Sequence, residues 1–199
     1  MVVGLVRPPA GELLHFSEDP SITIFRPHVT ATARDTQPFV WALDFDQAPS
    51  YWFPRDCPRV LTWASAKTTT VDHERFLGAF SRVHAIEYAW LDKPLSTVLY
   101  AYRFDKSEFM PYGTPEPHAY VSRATIRPLS SPQRVGSLLE AHAAAGIELR
   151  LLPNLWPYWT QVMRSTLGFS GIRLRNARAE KVTTAAPFGQ ASAGHSVRL

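Results

Sequence analysis

A histidine and a serine stand at the end of the first apolar segment, where they could act on one ligand. His15 and Ser17 belong to Leu13-Leu-His-Phe-Ser17, and alternate side chains of a strand point to the same face. An imidazole and a hydroxyl on that face could both hydrogen-bond a bound molecule. The alternative is a partly buried histidine bonded to a neighbouring loop, with Ser17 capping a turn.

The sole cysteine lies in an unusual segment, Tyr51-Trp-Phe-Pro-Arg-Asp-Cys-Pro-Arg59. Its prolines restrict the backbone and could hold Arg55 and Arg59 rigidly toward an anion. Adjacent positive charge would lower the pKa of the thiol and make Cys57 a candidate nucleophile, whereas Asp56 opposes that shift. The alternative is a structural turn.

Arginines recur in the C-terminal half of the chain. Arg173 and Arg175 alternate with apolar residues in Ile172-Arg-Leu-Arg175, so both would leave the same face of a strand. If that strand neighbours those near Arg123 and Arg150, the guanidinium groups form an anion site. Solvated arginines on an open sheet face are the alternative.

Familiar signatures of cofactor and hydrolase sites are missing from the sequence. No Gly-rich dinucleotide loop, phosphate-binding P-loop, zinc-protease helix or serine-hydrolase elbow occurs. The histidines have no metal-ligand spacing, so no metal is predicted.

Composition restricts the class of protein. With a single cysteine the chain forms no internal disulfide, which fits a reducing compartment. No apolar run is long enough to span a membrane and no secretory leader is recognisable, so a cytoplasmic location is expected. The net charge of only +4 makes duplex nucleic acid an unexpected partner; no protein partner can be named.

Short β-like segments outnumber helical ones and do not alternate with them regularly. We predict about eight strands: 12–16, 39–43, 59–63, 83–90, 97–104, 119–126, 147–152 and 169–174. Helices are predicted from a cap at Ser131 to Gly146, from Asn154 to Gly168, and over residues 72–80. This pattern predicts the α+β class, with a mixed, largely antiparallel sheet and a few packed helices.

The chain is expected to form one domain. Residues 1–10 read as an N-terminal arm, residues 11–176 as the domain, and residues 177–199 as a flexible, dispensable tail because they lack apolar periodicity.

Several motifs together carry a family resemblance. Leu14-His-Phe-Ser-Glu-Asp-Pro-Ser-Ile22, Val40-Trp-Ala-Leu-Asp44, Phe53-Pro-Arg-Asp-Cys-Pro-Arg59 and Ser165-Thr-Leu-Gly-Phe-Ser-Gly-Ile-Arg-Leu-Arg-Asn176 resemble the bacterial family catalogued as domain of unknown function 6886. That resemblance implies no activity.

The opening of the chain is also distantly similar to ADP-ribosyltransferase-like domains. This similarity implies that His15 binds the ribose of NAD and that Tyr51 stacks near its nicotinamide. It also implies a catalytic glutamate at the start of a late strand, where this chain has Ala119, with Glu116 three residues earlier.

The leading hypothesis is therefore an ADP-ribosyltransferase-like domain that binds NAD or a related phosphate-bearing nucleotide. His15 and Ser17 would contact the ribose, Tyr51 or Trp52 would stack, and Arg55, Arg173 and Arg175 would hold phosphate. Glu116 would join His15 as a catalytic residue if the protein is a transferase. The alternatives are a non-catalytic binding or interaction module and a thiol-dependent enzyme that uses Cys57.

Overall fold

The computed structural model describes residues 7–29, 37–113 and 117–180. In these ranges the chain forms a single α+β domain, which confirms the predicted class. The strands are β1 (Glu12–Ser17), β2 (Val40–Ala42), β3 (Arg59–Trp63), β4 (Arg82–Glu87), β5 (Tyr100–Asp105), β6 (Met110–Tyr112), β7 (Ala119–Ser122), β8 (Gln133–Arg134), β9 (Glu148–Leu152) and β10 (Gly168–Ile172). The α-helices are α1 (Thr70–Phe76), α2 (Asp92–Ser96), α3 (Leu138–Ala144) and α4 (Trp156–Val162).

The strands form three small sheets rather than one continuous sheet. Their orders are β1-β5-β8, β10-β3-β4-β9 and β2-β7-β6. All neighbours are antiparallel except β4 and β9, which are parallel. A pair of backbone hydrogen bonds between Leu14 and Leu43 joins β1 to the chain that follows β2. These bonds therefore link the β1-β5-β8 sheet to the chain that continues from the β2-β7-β6 sheet.

Apolar residues on both sides of the four-stranded sheet make the central layer of the protein. Val83 and Ala85 leave one face of β4 toward α1 and α4, while Ile86 leaves the other face toward Phe53 and Cys57. Strands buried on both faces read as continuous apolar runs. This explains why β3 and β4 were recognisable from sequence.

A chain of histidine hydrogen bonds crosses the core beside this layer. The Nδ1–H of His142 donates to the carbonyl oxygen of Leu138 at 2.6 Å, so the Nε2 of His142 is an acceptor. The Nδ1 of His84 lies 3.1 Å from that Nε2 and donates to it. Both imidazoles are buried, and burial lowers the pKa of each. They therefore connect α3 to β4 as neutral rings.

The helix expected from Ser131 to Gly146 is about half that length. Ser137, not Ser131, caps α3, because its side chain accepts the N–H of Glu140. The residues before the helix instead form β8, which pairs with β5. Residues 133–134 therefore pair with the edge of β5 although the local sequence pattern favours a helix. At the other end, Gly146 ends the segment with a positive φ, as predicted.

The chain beyond Asn176 stays in contact with the domain for at least two further residues. The carboxylate of Glu87, which is only 3% exposed, accepts the backbone N–H of Leu155 at 3.0 Å and that of Arg178 at 2.9 Å. The carbonyl of Arg178 in turn accepts the indole N–H of Trp156. These contacts move the folded boundary past Asn176, and the rest of the predicted tail, residues 181–199, lies outside the described residues.

Over the described residues, no helix is both long and apolar enough to cross a membrane.

We expect truncation after Glu180 to leave the melting temperature nearly unchanged and truncation after Asn176 to lower it by about 3 °C or more. The shorter chain lacks the Arg178 N–H, and a buried acceptor that loses a donor costs about 1–3 kcal/mol. Differential scanning calorimetry of both truncations and the full chain measures this difference. Equal melting temperatures for the two truncations would show that Glu87 does not need the C-terminal segment.

Candidate functional site

A cavity of about 800 Å³ opens beside β1 and is walled by residues from distant parts of the chain. Its walls are the end of β1, residues 22–28, β2, the segment from Tyr51 to Arg59, and the end of β10. This volume falls within the usual range for small-molecule sites. Five residues predicted from sequence line it: His15, Ser17, Tyr51, Arg55 and Arg173.

His15 is held as a neutral imidazole with one nitrogen fixed. Its Nδ1 lies 2.8 Å from the carbonyl oxygen of Trp41, so Nδ1 carries the proton and donates it. Burial lowers the pKa of His15 to about 4, although the bond to Trp41 opposes the shift. Nε2 is then an acceptor, and no described residue bonds to it. His15 can therefore accept a hydrogen bond from a ligand hydroxyl.

The loop after β1 is fixed from beneath by a buried tyrosine. The hydroxyl of Tyr102 donates to the carbonyl of Asp19 at 2.6 Å and accepts the N–H of Ile22 at 3.1 Å. Within the loop, the Ser17 hydroxyl oxygen accepts the N–H of Asp19. The hydroxyl proton of Ser17 remains available for a ligand beside His15.

Arg55 and Arg173 are in contact with each other in the wall of the cavity. The carboxylate of Glu18 accepts the backbone N–H of Arg55 at 2.8 Å. The side chain of Arg173 donates to the carbonyl of Arg55 at 3.3 Å. Arg173 has φ 56°, a left-handed conformation that is uncommon for a residue with a side chain. Long-range contacts therefore bring β1, the 51–59 segment and β10 together.

Arg59 is the most deeply placed cation of the cavity wall. It is 3% exposed, and its Nε and Nη1 donate to the carbonyls of Ser50 and Cys57 at 3.1 and 3.0 Å. Its guanidinium also packs over the ring of Phe53, 4.9 Å from the centroid. Burial lowers the pKa of Arg59 to about 10, which leaves it charged at neutral pH. No carboxylate pairs with it among the described residues.

Two predicted residues are not at the cavity. Trp52 is 4% exposed and packs in the core with Leu14, Val135 and Leu138, edge-on to His142. A sequence of consecutive aromatics cannot show which ring turns inward. Arg175 is exposed on a short 3-10 helix and does not line the cavity, because β10 ends at Ile172 and its strand alternation stops there.

Glu116, the candidate catalytic carboxylate, lies outside the described residues. Ala119 occupies the position at which the resemblance implies a glutamate, and it is buried at the start of β7.

The structure gives no support to a reactive thiol at Cys57. The side chain is fully buried, and burial raises the pKa of the thiol to about 12 even though Arg59 acts in the opposite direction. A protonated thiol is a poor nucleophile. Cys57 instead packs with Phe53, Leu61 and Ile86.

Sequence reasoning singled out Arg59 with Arg55 as a possible anion contact but did not predict its burial, since an arginine at the start of a strand is normally exposed. It did not single out Trp41 or Tyr112, which also line the cavity. Trp41 had a usable signal, because it alternates with the buried Val40 and Ala42 and must leave the opposite face. Tyr112 belongs to β6, a strand that the sequence pattern did not reveal.

The fold and cavity together define an α+β protein with an arginine-rich pocket. The model of the family of unknown function DUF6886 matches residues 14–177, and the chain belongs to that family. No curated protein and no solved structure matches the chain.

Acid should destabilise the protein through His15. Its folded pKa of about 4 lies below the unfolded value of 6.5, so the unfolded state binds more protons between these pH values and stability falls as pH falls. Because of His15 alone, the free energy of unfolding should fall by about 2 kcal/mol between pH 7 and pH 5. Urea unfolding of wild type and His15→Gln at both pH values separates the loss of unfolding free energy that is due to His15 from the loss that is due to His84 and His142. An identical loss in the two proteins would contradict the assigned neutral state.

Cys57 should react slowly with iodoacetamide at neutral pH in the folded protein and at the rate of an ordinary thiol in urea. Burial keeps the reagent from the thiol, and the raised pKa keeps the thiol protonated. Mass spectrometry of timed aliquots measures the two rates. Fast labelling of the folded protein would restore the thiol-dependent hypothesis.

Proposed function

We propose that the protein binds a phosphate-bearing nucleotide in this cavity, with NAD as the first candidate. The observation that carries the proposal is the charge on Arg59, which is buried, lines the cavity and has no carboxylate partner among the described residues. Buried charges in proteins are normally paired. An anionic ligand supplies the missing partner.

The hydrogen bonds of Arg59 leave it able to take such a ligand. A guanidinium has five N–H donors, and the carbonyls of Ser50 and Cys57 use two of them. Three donors remain, enough for a bidentate contact with phosphate oxygens. The two carbonyls hold the group in place before a ligand arrives, which reduces the entropy lost on binding.

The charges around Arg59 favour an anion further. Arg26, Arg55 and Arg173 also line the cavity, together with the carboxylates of Glu18, Asp19 and Asp56. Two of those carboxylates already accept local hydrogen bonds, Glu18 from the Arg55 N–H and Asp19 from Ser21. Four arginines against three carboxylates leave the cavity wall with a net charge of +1, which favours an anionic ligand.

His15 and Ser17 suit the sugar of a nucleotide. A neutral imidazole with a free Nε2 accepts a ribose hydroxyl, and the Ser17 hydroxyl can donate to a second oxygen. An anion-only site would need neither group.

ADP-ribosyltransferase-like chemistry is a further step of this proposal, because transfer needs a carboxylate to orient the ribose and binding does not. Glu116 is the residue proposed for that role if the protein is a transferase. The buried Ala119 in the expected position favours the second candidate function, a non-catalytic nucleotide-binding module.

Thermal-shift titration tests the proposed function. NAD, ADP-ribose and AMP at a hundredfold excess over Kd should each stabilise the protein by about 2.7 kcal/mol, a rise of about 5–10 °C in melting temperature. Arg59→Met should weaken binding at least about tenfold because it removes a charge-assisted contact. The affinity of Arg59→Lys should lie between those of wild type and Arg59→Met, because lysine keeps the charge and lacks the planar guanidinium.

Arg164→Met is the matched control, because Arg164 is exposed and lies outside the cavity. It removes the same charge and should bind these ligands as wild type does. If the wild type shows no shift with NAD, ADP-ribose or AMP at millimolar concentration, the proposed function is wrong. Equal weakening by Arg164→Met and Arg59→Met would mean that only the overall charge matters.

A further inference from the structure

Two aromatic side chains make a corner in the wall of the cavity. Trp41 and Tyr112 both line the cavity, and their ring centroids are 4.9 Å apart with planes at 77°. Phe39 is 4% exposed and packs edge-to-face against Trp41. The corner is thus supported from behind and remains open toward the cavity.

The strands fix this corner on a different sheet from Arg59. Trp41 lies on β2 and Tyr112 on β6, the outer strands of the β2-β7-β6 sheet, whereas Arg59 begins β3 of the four-stranded sheet. Alternation puts Val40 and Ala42 into the core and leaves Trp41 on the other face. The aromatic corner and Arg59 therefore belong to different sheets.

His15 lies beside the aromatic corner. Its Nδ1–H bonds to the main-chain carbonyl of Trp41 itself, and the positive charge of Arg55 acts on its ring. The cavity wall therefore offers an aromatic corner, a neutral hydroxyl acceptor next to it and arginines. A nucleotide has three matching parts in its base, sugar and phosphate.

We infer that Trp41 and Tyr112 form the subsite that takes the base of the ligand, a site assignment that rests on the proposed function. A flat ring in a corner of this angle can stack on one aromatic face and present its edge to the other, the two arrangements that aromatic rings prefer. Trp41 and Tyr112 are half-buried and line the cavity, whereas Phe39 is buried, so a base that enters the cavity can contact both rings of the corner.

Isothermal titration calorimetry with AMP and ribose 5-phosphate tests the inference, because the two probes share the phosphate and sugar and differ in the base. Wild type should bind AMP more tightly, by about 5-fold to 100-fold, the range that base–aromatic stacking supplies. Trp41→Leu should lower the affinity for AMP to that for ribose 5-phosphate. It should leave the affinity for ribose 5-phosphate unchanged within about twofold, because the phosphate contacts stay intact.

Trp90→Leu is the matched control, since Trp90 is also half-buried and does not line the cavity; it should keep the wild-type preference. If Trp41→Leu does not fold by circular dichroism, Tyr112→Leu provides the same comparison on the other wall of the corner. Arg59→Met should weaken both probes equally and so preserve their ratio.

The outcomes separate this inference from the proposed function. Equal wild-type affinities for the two probes, or a preference for AMP that survives both Trp41→Leu and Tyr112→Leu, overturn the base subsite alone. AMP that fails to bind while NAD binds also overturns the subsite alone. Absence of binding by AMP, ribose 5-phosphate, NAD and ADP-ribose together overturns the proposed function and this inference with it.

Discussion

The buried guanidinium of Arg59 sets the constraint that organises this end of the protein. A charge removed from water must be surrounded by polar atoms, and the chain supplies the carbonyls of Ser50 and Cys57 from the segment that precedes β3. That segment contains Pro49, Pro54 and Pro58, whose fixed φ angles reduce the number of conformations it can adopt. The aromatic face of Phe53 covers one side of the guanidinium. The wall of the cavity is therefore built around the charge.

His15 and His142 are kept neutral by the same combination of burial and carbonyl acceptors. His15 donates to the carbonyl of Trp41, and His142 donates to the carbonyl of Leu138. In each ring the proton on Nδ1 is fixed, which leaves Nε2 as an acceptor. For His142 that acceptor is used inside the core by His84. For His15 no described residue uses it, and His15 lines the cavity, so the same arrangement serves stability in the core and, in the proposed function, recognition at the cavity.

The cavity exists because no single sheet spans the domain. β1 belongs to one sheet, Trp41 to the second and Arg59 to the third, and the backbone bonds between Leu14 and Leu43 join the first of these to the second. Three short sheets with separate edges leave a gap where they meet. Buried side chains such as Tyr102 fix the loops that line it. The site is therefore a product of how the sheets are arranged, and the loops contribute the individual contacts.

The sequence alone determined the local features of this protein. Strand alternation placed His15 at the end of β1, and the continuous apolar runs predicted β3 and β4, because side-chain periodicity depends only on neighbouring residues. The tertiary structure decided which side chains are buried away from water. It buried Trp52 and left Trp41 at the cavity, it put Arg59 rather than Arg175 beside the ligand space, and it turned residues 133–134 into a strand. Burial depends on contacts between segments that are far apart in the chain, and no local pattern encodes which of several similar residues those contacts will enclose.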